Sequence, residues 1–227
     1  MAVQRLSIIL PVLNEAAAIG AVLKSLEPLI ARGAQVIVAD GGSTDRSAEL
    51  ARSGGAQVVA APRGRALQMN SGAAQAHGDV LLFLHADTVL PANADQLISQ
   101  ALSSGLQVWG RFDVVITGSP DMLKLIAALM NLRSRLTGIA TGDQAMFMTR
   151  SAFDAAGGFP VQPLMEDIEI SRRLLKLSRP VCLRAKVQTS GRRWETHGVL
   201  RTVLLMWRLR WAYWRGAAPE QLAKLYR

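Results

Sequence analysis

Four short stretches of this 227-residue chain carry side chains able to do chemistry. In FLHADT, residues 83–88, an apolar run stops at His85, Ala86 and Asp87. A carboxylate such as Asp87 is a hard oxygen donor for Mg2+ or Mn2+ bridging a diphosphate, and one suffices when phosphates and water fill the remaining positions. The same residues also suit a polar turn whose Asp-Thr pair caps the next helix. In MEDIE, Glu166, Asp167 and Glu169 fall within one turn at a helix start. Clustered carboxylates raise one another's proton affinity and so prepare a base. Helix N-termini also favour acids on electrostatic grounds alone.

ADGGSTD sets Asp40 at a strand exit ahead of two glycines and a helix start. Its carboxylate is placed to accept from a base or ribose, with backbone amides free near phosphate. Asp45 reads as a charge at the helix terminus. PRGR brings Arg63 and Arg65 to another helix start, where guanidinium forks and the helix dipole both suit phosphate. His77, His85 and His197 share no ligand spacing, and the single Cys182 has no partner, which disfavours a zinc site and excludes an internal disulfide. A reduced compartment fits that cysteine usage.

These residues need a frame, and the N-terminal half supplies one. Strand-length apolar runs, LSIILPV, QVIVAD, AQVVA and DVLLFLH, alternate with segments of helical period, the pattern of parallel strands with crossover helices. The first helix is expected over Glu15 to Ala31, capped by Asn14, with Ile19, Val22, Leu23, Leu26 and Ile30 on its inner face. The second should start after DGGSTD, capped by Ser43 or Thr44. A third is expected from about Ala66 to Ala76, and a fourth near Pro91. Beyond Gly105, VWGRFDVVI reads as a strand, MLKLIAALMNLRSRL as an amphipathic helix, QAMFMTR as a short strand and LMEDIEISRRLLKL as a charged helix. Ligands of an open parallel sheet bind beyond the carboxyl ends of its strands. The exits PVLNE, ADGGSTD, APRGR and LHADT should therefore converge on one site.

The length suits one α/β domain with a C-terminal appendage. The net charge of +9 and pI near 10.7 favour anionic partners. The excess lies between Arg172 and Arg227, and no motif for reading nucleic acid accompanies it, so no nucleic-acid partner is expected. Over residues 199–214, Leu200, Val203, Leu204, Trp207, Trp211 and Trp214 share one helical face flanked by Arg201, Arg208 and Arg215. That composition suits peripheral contact with a membrane surface, and equally packing on the core or in a homodimer. The N-terminus lacks a signal-length apolar region, and no run of about 18 uncharged apolar residues occurs. A cytoplasmic location, with contact to the inner face of the cell membrane, is the expectation.

Taken in order and spacing, SIILPVLNEA, VIVADGGSTDRS, GRALQMNSGAAQAHGDVLLFLHADT, GDQAMFM, GGFP, MEDIEISRRL and RRW resemble the family 2 glycosyltransferases of GT-A fold. The likeness covers roughly residues 6 to 195 and is nearest to small bacterial members with HAD in place of a DxD motif. It implies a Rossmann-like, mostly parallel central sheet flanked by helices, with residues 1–195 as the catalytic domain and 196–227 as a helical appendage. It also implies sugar transfer from a nucleoside diphosphate donor, a UDP-sugar foremost, with inversion and a divalent cation. The acceptor is not identified, a lipid-linked hydroxyl being one option.

By motif, Pro11, Asn14 and Glu15 would line the nucleoside pocket and Asp40 would read the base. Arg63 and Arg65 would face ribose and phosphates, with Gln68 and Asn70 on the same helix also at the substrate. Asp87 would bind the metal. Gly142, Asp143 and Gln144 would border sugar and acceptor, Asp167 with Glu166 would supply the base, and Arg192, Arg193 and Trp194 would lie near diphosphate and acceptor. The departure is His85, which stands where the family's first DxD carboxylate would be. A neutral histidine there can hydrogen-bond a hydroxyl or ligate Mn2+. Two other functions stay open: a sugar nucleotidyltransferase, whose glycine-rich basic loop is missing from PVLNEAAAIG, and a degenerate nucleotide- or membrane-binding scaffold.

Overall fold

The computed structural model describes residues 5–119 and 121–226, with the side chains of Arg193 and His197 outside that description. The N-terminal half alternates as expected: β1 (Leu6–Val12), α1 (Ala16–Ala31), β2 (Gln35–Asp40), α2 (Ser47–Ser53), β3 (Gln57–Ala60), α3 (Arg65–Ala74) and β4 (Val80–Phe83). Then follow β5 (Thr88–Val89), α4 (Ala94–Leu102), β6 (Trp109–Thr117), α5 (Met122–Thr137), a 3-10 turn at Gly142–Gln144 and β7 (Phe147–Thr149). The chain closes with α6 (Arg150–Ala155), α7 (Glu166–Leu174), β8 (Val181–Ser190), α8 (Arg192–His197), α9 (Val199–Trp214) and α10 (Pro219–Tyr226).

One sheet joins the strands in the order β3-β2-β1-β4-β7-β6-β8-β5. The β3-β2-β1-β4 half is wholly parallel, and β6 runs parallel to β8. Antiparallel β7 stitches these two parts together, and β5 pairs antiparallel at the far edge. The period of two sorts the core onto both faces. Ile8, Leu10, Leu82 and Leu84 pack with α1 and α5 on one side, while Ile9, Leu81, Phe83 and Met148 pack with α3, α6 and α7 on the other.

Several local expectations change. Asn14 does not cap α1: its backbone is left-handed (φ 57°) and its side chain accepts from the Thr44 amide instead. Leu29 takes the fully buried position on α1 and Ile30 only half of one. Ser43 and Thr44 do not cap α2, because Ser43 donates to Asp40 and Thr44 binds Asn14. Asp45 takes over, accepting from the amides of Ser47 (2.9 Å) and Ala16 (3.1 Å), so one carboxylate holds the starts of α1 and α2. The fourth helix begins at Ala94, after a turn from Pro91. Strand β8 gave no clear signal, since Arg184 and Lys186 interrupt its apolar period.

One charge network fixes α5 against β6. Arg111 is fully buried, and its guanidinium donates to Asp113, Ser134 Oγ (3.1 Å), Phe112 O (3.2 Å) and Asn131 O (3.0 Å). Arg135 donates to the other oxygen of Asp113 (2.6 Å), where the β6–β8 register shifts between Phe112 and Asp113. Removing one partner of such a network strands a buried charge. Asp113→Ala should lower unfolding stability by about 3–5 kcal/mol, read as a lower urea midpoint at unchanged slope.

Candidate active site

Three of the four strand exits meet at one opening. Pro11 near the end of β1 with Leu13 and Glu15 just beyond it, Arg63, Gly64 and Arg65 entering α3, and His85, Ala86 and Asp87 after β4 line a pocket of 320 Å³ with Gln68. Arg65, His85 and Asp87 continue into a cavity of 450 Å³ walled by Thr141, Gly142, Asp143, Glu166, Asp167, Arg192 and Trp194. The fourth exit supports from behind. Asp40 lines neither space; its carboxylate accepts from the Ser43 amide (3.2 Å) and hydroxyl. Asn14 likewise ties the first two exits together, its amide donating to Ser43 Oγ at 3.0 Å.

Two amides of α3 serve the backbone. Gln68 is buried and donates to Val12 O (2.7 Å) and Ala39 O (2.9 Å), bridging the ends of β1 and β2. A Cβ at Gly41 would lie 2.9 Å from the Gln68 amide carbon, so the first glycine of ADGGSTD makes room for this bridge. Asn70 clamps Phe159 of the GGFP turn through both backbone groups, at 2.8 and 2.9 Å.

The acids of MEDIE open α7 at the cavity wall. Met165, just before them, is left-handed (φ 66°) and buried, which aims the first turn inward. Glu166 faces Arg65 Nη1 at 3.4 Å. Burial disfavours the Arg65 charge, but the surrounding acids, Glu166 foremost, outweigh it and raise its pKa. Asp167 accepts from the amides of Gly142 (3.2 Å) and Ile168 (2.8 Å). Burial, and then the charge of Glu166, push its pKa up to about 6 against the opposing pull of Arg65 and those amides. A carboxylate so poised is ionised at neutral pH and still able to take a proton.

His85 turns towards protein. Its Nδ1 lies 3.2 Å from Asp143 Oδ1, and a Cβ on Gly142 would sit 2.4 Å from its Nε2. Gly142 thus leaves the space that the His85 ring takes. Gln144 is buried and caps its own turn through Thr141, while donating to Asn131 at 3.3 Å. Arg192 is exposed, with Nη2 3.8 Å from Glu15, whose own pKa burial raises and Arg192 restrains. Trp194 stands half-buried in the wall. Arg193, expected beside it, has its side chain outside the described residues.

Glu15 and Asp87 are hard oxygen donors in a space that also holds Arg63 and Arg65. Among the described residues no three His, Cys, Asp or Glu side chains gather into a cage. This donor set fits a hard divalent cation completed by phosphate oxygens and water. The C-terminal helices contribute wall residues that carried no motif: Thr196, Thr202, Met206, Arg210 and Tyr226. They are brought in by a cluster of Leu164, Met165, Leu209 and Leu222, which seats α9 and α10 on the start of α7. Gly142→Ala should force the His85 ring off Asp143, seen as a change in its imidazole nitrogen shifts by NMR with the unfolding midpoint little altered.

The curated proteins searched contain no match to this chain. Among solved structures it is similar to the mannosyltransferase PcManGT from Pyrobaculum calidifontis in complex with GDP-Man and Mn2+, at TM-score 0.67 and 20% identity over 98% of this chain and 68% of that one. It is also similar to the glucosyl-3-phosphoglycerate synthase of Mycobacterium tuberculosis in complex with Mn2+, UDP and glucosyl-3-phosphoglycerate, at TM-score 0.56 and 22% identity over 82% and 71%. A third is residues 1–349 of S. aureus TarS with UDP-GlcNAc, at TM-score 0.65 and 17% identity, where 82% of this chain spans only 58% of that one. At these identities the likeness shows the fold alone: a GT-A sheet flanked by helices. The family model described as glycosyl transferase family 2 matches residues 7–155, and the chain belongs to that family.

Proposed function

We propose that this glycosyltransferase moves a hexosyl group from a nucleoside diphosphate sugar, a UDP-sugar foremost, to an acceptor hydroxyl with inversion. The observation that carries the reading is Asp167, a carboxylate with its pKa near 6 in the wall of a cavity that also holds Arg65 and Asp87. Pro11, Asn14, Glu15 and Asp40 serve the nucleoside side, with Gln68 and Asn70 fixing the loops around it. Arg63 and Arg65 meet the diphosphate, and Arg192 approaches it from the opposite wall. Gly142, Asp143 and Gln144 shape the sugar site, with His85 oriented by Asp143. Arg193 and Trp194 complete the acceptor side. Two of the structural relatives were solved with Mn2+, one together with UDP and one with GDP-Man, which supports Mg2+ or Mn2+ at Asp87 here. Bound there, the cation would neutralise charge on the diphosphate.

The protein's own residues divide the chemistry. Asp167 takes the proton of the acceptor hydroxyl as that oxygen attacks the anomeric carbon. The bond from that carbon to the diphosphate oxygen breaks, and the nucleoside diphosphate leaves with the electron pair, its charge met by Arg63 and Arg65. Glu166 serves as the partner that keeps the Asp167 proton affinity high while pairing with Arg65. We assign residues 1–195 to the catalytic domain and the remainder to an appendage that docks on the cytoplasmic face of a membrane. No helix among the described residues is long and apolar enough to cross one. The exposed Leu200, Leu204, Trp207, Trp211 and Trp214, with Arg215 stacked 4.8 Å over Trp211, favour such a peripheral contact.

Asp167→Asn should keep nucleotide-sugar binding, measured calorimetrically across UDP-, GDP- and dTDP-sugars with and without Mn2+, and lose transfer by about 100-fold or more. Retained transfer would point to a different base, and absence of all nucleotide-sugar binding at millimolar concentration would end the assignment. Because the base must be unprotonated, kcat/KM should rise with pH through a step near 6 and lie flat above it.

A further inference from the structure

A second apolar space adjoins the cavity. Helices α5 and α9 frame a groove of 510 Å³ walled by Ile126, Leu129, Leu132, Leu136, Val203 and Trp207. It borders the cavity, the two sharing Thr141, Asp143, Trp194, Met206 and Arg210. Arg133 also lines the groove, and two of its guanidinium nitrogens, Nε and Nη2, are buried with no hydrogen-bond partner. Burial lowers its pKa, and the largest attraction opposing that is the charge of Asp167.

We propose that this groove holds an acyl chain of the acceptor, a membrane phospholipid whose head group carries both its phosphate and a free hydroxyl. The inference rests on the glycosyltransferase reading of the adjoining cavity. Three features select that occupant. The walls are aliphatic and aromatic, as a hydrocarbon chain requires. Arg133 lines the groove and forms no ion pair among the described residues, so a phosphate next to the chain would supply the anion its guanidinium lacks. The groove shares Thr141, Asp143 and Arg210 with the cavity that Asp167 lines, so a head-group hydroxyl beyond that phosphate lies on the side of the base. Beyond Trp207, α9 carries the exposed Trp211 and Trp214, side chains suited to the depth at which lipid chains begin.

Transfer then follows one balanced course. The head-group O–H bond breaks and its proton goes to Asp167. The oxygen bonds the anomeric carbon, and the nucleoside diphosphate departs with the electron pair of the old bond.

The test uses the full chain with monomeric dihexanoyl-phosphatidylglycerol, followed by tryptophan fluorescence and NMR. Dihexanoyl-phosphatidylcholine lacks the hydroxyl and net negative charge, and glycerol 3-phosphate lacks the chains. Phosphatidylglycerol should bind at least about tenfold more tightly than either, as expected of a charge-assisted hydrogen bond added to apolar burial. Arg133→Gln should bring it down to the phosphatidylcholine level. Leu129→Glu, at a half-exposed position that tolerates a charge, should weaken phosphatidylglycerol and leave glycerol 3-phosphate unaffected. With a nucleotide sugar present, phosphatidylglycerol should become glycosylated. Equal affinity for glycerol 3-phosphate, an unaffected Leu129→Glu variant, or burial of the groove in a dimer of this chain in solution would overturn the proposal. Lipid binding with the nucleotide sugar bound but never transferred to phosphatidylglycerol would overturn the acceptor role alone. Absence of nucleotide-sugar binding, measured separately on the same chain, would instead overturn the glycosyltransferase reading beneath it.

Discussion

A guanidinium with no access to water has to be answered by the protein around it, and Arg111 sets that demand at the centre of the second half of the sheet. Its partners come from β6 itself and from α5, so α5 is held against the sheet by charge as well as by apolar packing. Asn131 extends the effect. It pairs with both backbone groups of Val114 and accepts from Gln144, tying the 141–144 turn to the same helix. The position of Gly142, and through it the orientation of His85 and Asp167, therefore descends from the burial of one arginine. So does the wall of the groove that α5 forms.

The site separates acids by surroundings instead of by type. Asp45 is exposed and its pKa is lowered, chiefly by the Ser47 hydroxyl, because it holds two helix starts. Asp113 is spent on two arginines. Asp167 combines burial, a neighbouring carboxylate and two amide donors, and its pKa is driven up to about 6. Chemistry follows from that inequality: a base has to want its proton more than the structural carboxylates do.

Much of the frame was legible because period and punctuation agree in the N-terminal half. LSIILPV and QVIVAD became β1 and β2 residue for residue and DVLLFLH contains β4, and the exits of β1, β3 and β4 meet as the open-sheet rule requires. Capping was less legible. Asn14, Ser43, Thr44 and Asp45 are all good caps, and which one serves depends on contacts between two loops about 30 residues apart. The short strand in QAMFMTR was legible as β7, though not its antiparallel sense, while the long β8 was hidden because its partners lie far along the chain and Arg184 and Lys186 blur its alternation. Arg133 and Arg210 could be read only as charges on amphipathic helices. Their role depends on which way each helix is turned, and that is decided by packing.

Met165 carries a consequence that reaches the far end of the chain. Its left-handed backbone is a conformation that side chains other than glycine seldom adopt, and it is held by packing against Leu209 and Leu222. The strain is met when the C-terminal helices fold, before any substrate arrives. On the proposed mechanism, donor and acceptor would encounter a carboxylate whose direction is already set, and little of their binding energy would go into ordering it. On this view the last helix is a brace for a side chain more than 50 positions earlier. On that mechanism, loosening the brace would slow transfer through the angle of Asp167.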